Sequence, residues 1–257
     1  MRLKKIFRYI PLFIIFVFIS CSSTKDLNKE MRTMFTSLGY ELTSPEYKGE
    51  LYCNILLNPI EGAGLTPQTT ITKKGNVVVP LILVNYVGEK YESSLGETSL
   101  DIPYQQFLTE AFLTECNTSS CFNLYKAQDS AKVQSDFLLD IKVGKCQTKS
   151  KFKFNNTAIL WVDIFNDDGD FLSFFNHKLN PATTELEFKV TLTHKNNAIF
   201  NKDYKVLHTN NENSIRREGS INYDCLNDMA ESLSLATKEI VEKIATDLSL
   251  TIENYTY

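Results

Sequence analysis

The sequence predicts an α+β fold: a mixed or largely antiparallel sheet with two main amphipathic helices packed on one face. Three observations carry this. Most segments alternate apolar and polar residues with a period of two, the mark of strands with one wet face. Two stretches, from Asp101 and from Leu226, instead carry apolar residues three and four apart, the stripe of a helix that packs on a layer. No internal repeat or long linker divides the chain, so we read residues 50–257 as a single α+β domain, behind a leader at 1–20 and a tether at 21–49.

The leader comes first. Arg2, Lys4, Lys5 and Arg8 precede an apolar run from Ile10 to Ile19, broken only by Pro11. A run of that length is too short to span a bilayer as a helix and suits the apolar part of a secretory signal. Ser20 and Cys21 then close it. A small residue before a lone cysteine resembles the lipobox of bacterial lipoproteins, in which the cysteine is lipidated and becomes the new N-terminus. Phe18 stands where that family usually has Leu. The resemblance makes Cys21 the lipidation site and the acyl chains the membrane anchor.

The tether is expected to end in a short helix, since Leu27, Met31, Phe35 and Leu38 fall near helical spacing before Gly39. Leu51, Cys53, Ile55 and Leu57 alternate as a strand, and 58–68, with two prolines and two glycines, reads as loop. Residues 69–73 and 77–86 flank Lys74-Gly75-Asn76, which predicts a hairpin there, followed by a polar loop over 87–100. Asp101–Glu115 is a helix with Pro103 in its first turn.

Beyond it, Phe122–Lys126 and Phe137–Val143 read as short strands, and Ala158–Phe165 as a separate, more apolar one ending at Asn166-Asp167-Asp168-Gly169. Leu186–Leu192 alternates most cleanly, and Lys195-Asn196-Asn197 turns it into Ile199–Leu207. A helix over Leu226–Leu248 closes the chain.

Composition limits the function. The leader holds four of the 27 basic residues and none of the 31 acidic ones, which leaves the remainder at −8. A nucleic-acid binder needs a basic face, so no nucleic-acid partner is expected. Five cysteines follow Cys21: Cys53, Cys116, Cys121, Cys146 and Cys225. Cys116 and Cys121, flanking a polar turn at 117–120, are the candidate disulfide in an exported protein. Cys53 and Cys146 read as small buried residues on strands.

No catalytic site emerges. His177, His194 and His208 lie outside any nucleophile motif, and the acidic run at 163–170 fails the calcium-loop spacing because Ile164 falls at its first ligand position. Glu61-Gly62-Ala63-Gly64 lacks the phosphate-loop lysine. Neither enzyme activity, cofactor nor metal is expected. Phe171, Phe174 and Phe175 form a candidate contact patch, either exposed on a loop or reaching the core from a strand.

Together, the lipobox and the order of elements resemble the auxiliary lipoproteins of ABC-type lipid transport systems, with a comparable plan in lipopolysaccharide-assembly lipoproteins. The shared layout is a helix like 101–115, the strand Ser135–Val143, a hairpin like 185–207 and a terminal helix like 226–248. This chain departs from it in a long inserted stretch, 147–184, and in its five cysteines. The resemblance implies a non-catalytic, membrane-anchored envelope lipoprotein, an accessory component of a transport or assembly complex, with an envelope protein complex as partner. Ser22 after the lipidated cysteine points to the outer membrane. The other reading is a surface-exposed lipoprotein that binds host or matrix molecules.

Overall fold

The structure is a computed structural model, and it describes residues 33–43, 53–79, 84–128, 133–162, 169–211 and 221–256. It is α+β, with two helices packed on one face of a mixed sheet. The sheet has eight strands: β1 (Cys53–Leu57), β2 (Gln68–Val79), β3 (Val84–Ser94), β4 (Phe122–Lys126), β5 (Phe137–Val162), β6 (Gly169–Leu179), β7 (Thr183–His194) and β8 (Asn197–Thr209). The helices are α1 (Tyr104–Ser119) and α2 (Ile221–Thr256).

A single strand, β5, organises everything else. It is 26 residues long and has different neighbours along its two halves. Its first half lies between β1, which is parallel, and β7, which is antiparallel. Its second half lies between β3 and β6, both antiparallel. The first half, with β4, β1, β7 and β8, forms the floor of the core. The second half, with β2, β3 and β6, runs on as a four-stranded ribbon.

The core is built by matched periods. Tyr104, Phe107, Leu108, Ala111, Phe112 and Cys116 of α1 are all buried, as the three- and four-residue spacing requires. Leu186, Phe188, Val190 and Leu192 of β7 are buried, while Glu185, Glu187 and Lys189 face water. Lys195 and Asn196 take positive φ of 47° and 69°, the two-residue turn whose twist suits a hairpin. On the open face Glu185 lies between Lys145 and Lys205, and their charges hold its carboxyl down to about 2. Such exposed pairs contribute little to stability.

The fold departs from the sequence reading in four places. Residues 34–43 are not helical: this segment is laid along α2 as an extended strap. Thr36 Oγ1 donates to Asn227 Oδ1, Gly39 N–H to Ser234 Oγ and Thr43 Oγ1 to Glu242 Oε1, at 3.0, 3.1 and 2.6 Å. Acceptors seven and eight residues apart lie on one helix face, so the strap follows a single line of α2.

The hairpin predicted at 74–76 is displaced, because β2 continues unbroken to Val79 and Gly75 pairs with Gly88. The loop predicted over 87–100 is mostly strand, since Glu89, Lys90, Tyr91 and Glu92 pair across β3 and β5. Finally, Phe137–Val143 and the strand from Ala158 are one continuous β5. Residues 1–32 and 163–168, with the leader, Cys21 and most of the acidic run, lie outside the described residues.

Candidate functional site

The predicted disulfide is corrected by the helix. Cys116 and Cys121 are thiols in this structure. Residues 117–119 belong to α1 rather than to a turn, and Ser120 N–H donates to the Cys116 carbonyl. The last turn of the helix faces Cys116 into the core beside Phe112. Cys121, beyond the helix end, donates its S–H to the Ser249 carbonyl of α2 at 3.6 Å. Burial raises the Cys53 thiol to about 11 and the Cys146 and Cys225 thiols to about 12, which keeps all three protonated and weak as nucleophiles.

His194 is placed for packing. The His194 ring stacks on Phe137 with centroids 4.5 Å apart, and its Nδ1 is 2.8 Å from the Tyr255 hydroxyl. Among the described residues no group of three His, Cys, Asp or Glu side chains gathers to hold a metal.

One groove, of about 330 Å³, opens at the carboxyl ends of the parallel strands β1 and β4, against the first turns of α1. Ligands commonly bind at such a place in sheets with parallel strands. Here the walls combine apolar Leu57, Pro59, Ile60 and Pro103 with amides and one surface ion pair. Gln105 Nε2 donates to the Ile60 carbonyl at 2.7 Å, Asn58 Nδ2 donates to Asp140 Oδ1 at 2.7 Å, and Lys126 pairs with Glu110 at 2.6 Å. The start of α1 is not open to an anion, because Glu97 already accepts the Tyr104 N–H at 3.0 Å and the Leu65 N–H at 3.1 Å. An amide neither takes nor gives a proton near neutral pH, so the ionisable groups in these walls are Glu110 and Lys126, paired with one another.

The larger candidate is the ribbon. Its order is β2, β3, second half of β5, β6, with every neighbour antiparallel. Tyr91 and Phe152, stacked 5.0 Å apart, are buried at its root. From Lys153 to Val162 β5 advances about 30 Å at 3.3 Å per residue. Among the described residues neither β2 nor β6 has a second partner, so the ribbon presents two open edges. Phe171, Phe174 and Phe175 lie on β6, opposite Leu160, Thr157 and Asn156. They belong to a strand, one of the two placements their spacing allowed.

The ribbon accounts for the stretch 147–184 that set this chain apart from its resemblance. Two signals in the sequence point to it: the apolar runs Ala158–Val162 and Phe171–Phe175, and the glycine at 169 between them. What they do not announce is the pairing of β5 with β3, some 70 residues earlier.

Comparison with known proteins finds distant similarities among solved structures alone. No protein-family model matches the chain, and no curated protein matches it. Among solved structures it is similar to a Xanthomonas campestris protein of the DUF330 family, with TM-score 0.48 and 10% identity over 87% of this chain and 99% of that one. It is also similar to a hypothetical protein of Chlamydia trachomatis, with TM-score 0.37 and 9% identity over 79% of this chain and 98% of that one.

Proposed function

We propose that this chain is a non-catalytic envelope lipoprotein, anchored through acyl chains on Cys21, that serves a transport or envelope-assembly complex through its ribbon. The observation that carries the reading is the ribbon with its two open edges. An edge strand offers a row of unpaired backbone donors and acceptors, and proteins that are not built to use such edges cover or shorten them. The lipobox-like leader supports the anchorage.

The test is crosslinking in intact envelopes followed by purification of the chain, with Cys21→Ala as control. Recovery of permease, ATPase or assembly-barrel subunits, reduced in the Cys21→Ala variant, is the expected result. Recovery of host-derived ligands alone, from a chain that protease removes from intact cells, would replace the reading with surface binding.

A further inference from the structure

Strand β1 and the bend that leads into β4 each bring a cysteine to the same side of the sheet. In β1, Cys53 shares a face with the buried Ile55 and Leu57 and packs half-buried against the core. Cys121 stands between the end of α1 and the start of β4. It lies in a bend, so the alternation of β4 does not set its direction. Its hydrogen bond to the Ser249 carbonyl does: the thiol points to α2, into the layer that Cys53 also faces.

Register brings the two together. Strands β1 and β4 are parallel neighbours, with Cys53 opposite Phe122. Cys121 precedes Phe122 and so lies diagonally across from Cys53. Neighbouring strands are about 4.8 Å apart and rise about 3.3 Å per residue, so this diagonal is about 6 Å between Cα atoms. Disulfides bridge Cα atoms about 4.4–6.8 Å apart. The electrostatics agree: burial and then the nearby Cys121 raise the Cys53 thiol to about 11. The other thiols have other surroundings. Cys146 lies beside the Tyr104 hydroxyl, Cys225 beside the Ser150 hydroxyl, and Cys116 near Tyr40.

We propose that Cys53 and Cys121 are joined by a disulfide as the chain matures in an oxidising compartment, a staple between β1 and the junction of α1 with β4. Both S–H bonds break and one S–S bond forms. The two protons and two electrons pass to an oxidant of the disulfide class, which leaves as two thiols. Cys121 gives up its bond to Ser249 in the exchange. It is 5% exposed in the folded chain, so the staple closes during folding, before burial shields it. The proposal goes beyond the contact reading of the ribbon, and its first test needs no anchor.

The full chain carrying Cys21→Ala is unfolded in urea with reductant, then refolded in mixed reduced and oxidised glutathione, which lets wrong pairings exchange. N-ethylmaleimide blocks the remaining thiols, and tryptic peptides are weighed before and after reduction. The expected result is a linked pair of peptides holding Cys53 and Cys121, with Cys116, Cys146 and Cys225 alkylated. No lysine or arginine separates Cys116 from Cys121, so variants assign the bond. Cys116→Ser should keep the link and Cys121→Ser should lose it. The staple closes a loop of about 70 residues, so reduction should lower the thermal midpoint by roughly 10 °C. Reductant should leave the midpoint of Cys53→Ser unchanged, and a circular dichroism spectrum like the parent's shows that each variant folds.

Alkylation of all five cysteines after refolding overturns the proposal. So does a link that Cys116→Ser abolishes and Cys121→Ser retains. The chain taken from cell envelopes and alkylated at once should carry the same link, and a link made only in glutathione would overturn its place in maturation. Envelope partners recovered with Cys53→Ser leave the proposed function standing whatever the thiols show.

Discussion

Asp228 shows how much one side chain holds. Its Oδ2 accepts the Ala182 N–H at 2.6 Å and its Oδ1 accepts Asn210 Nδ2 at 2.8 Å, while Asn210 N–H donates to the Ala182 carbonyl at 3.0 Å. The start of β7, the end of β8 and helix α2 are thereby tied at one buried point. Burial raises the carboxyl above its ordinary 3.8, against the pull of its two donors. Its contribution to stability is therefore fully present below pH 3.8 and declines as pH rises through the raised folded value. Asp228→Ala strands two buried donors and should cost on the order of 2–4 kcal/mol in urea unfolding. That cost should shrink from pH 4 upward, and a cost that grows with pH would refute this account. Nothing in the sequence marks Asp228, because its partners are 46 and 18 residues away.

Gly62 is more legible. It lies in the short Glu61-Gly62-Ala63-Gly64 loop and takes a φ of +78°, and a Cβ there would meet the Val143 carbonyl oxygen at 2.5 Å. Gly62→Ala combines strain with a backbone clash and should lower stability by roughly 2 kcal/mol, read as a fall in thermal midpoint. An unchanged midpoint would mean that the loop shifts freely. The small residues lack the lysine of a phosphate cradle, and the structure uses Gly62 to let the loop lie against β5.

Strand β5 carries the next lesson. Its first half is covered by the helices, with Leu139 and Ile141 buried, and its second half leaves them at the Phe152–Tyr91 stack. Local stability follows buried contact, so amides from 153 to 162 should exchange hydrogen at least tenfold faster than those from 137 to 152 in the monomer. Equal protection along the strand would make ribbon and core a single cooperative unit. The alternation at Phe137–Val143 and the apolar run at 158–162 were both readable as strand. That they form one strand was not, because Gly144 and the polar residues at 155–157 interrupt the pattern without interrupting the backbone.

The strap makes the same point from the other side. Leu27, Met31, Phe35 and Leu38 have helical spacing, yet residues 34–43 gain more from hydrogen-bonding along α2 than from a short isolated helix, which is marginal in water. Phe35, which the helix would have buried, is 65% exposed. Tyr40 donates to the buried Glu115 carboxylate at 2.8 Å, so the strap also reaches α1. Burial and this acceptor raise the Tyr40 phenol well above its ordinary value.

Taken as one object, the described residues begin at Thr33, twelve positions after Cys21. Twelve residues span at most about 40 Å, which bounds the distance between Thr33 and a membrane that holds an acylated Cys21. The excess of acidic residues outside the leader disfavours adhesion of the chain as a whole to anionic lipid, so the proposed anchorage falls to the acyl chains. Cells that carry Cys21→Ala should lose acylation of the chain, measured by incorporation of labelled fatty acid. Continued labelling would move the modification to another residue.

From the sequence by itself came the α+β class, the inward stripe of α2, the alternation of β7 and its tight turn at Lys195-Asn196, and the lipobox-like leader. Each is written in residues that lie within a few positions of one another. Tertiary structure alone decided that Cys121 meets the Ser249 carbonyl of α2 and that Asp228 ties three elements together. The physical reason is the range of the interactions: periodicity and capping act over a turn or a pleat. Strand register is set by pairing between segments as far apart as Ile55 and Phe137, and no local pattern records it.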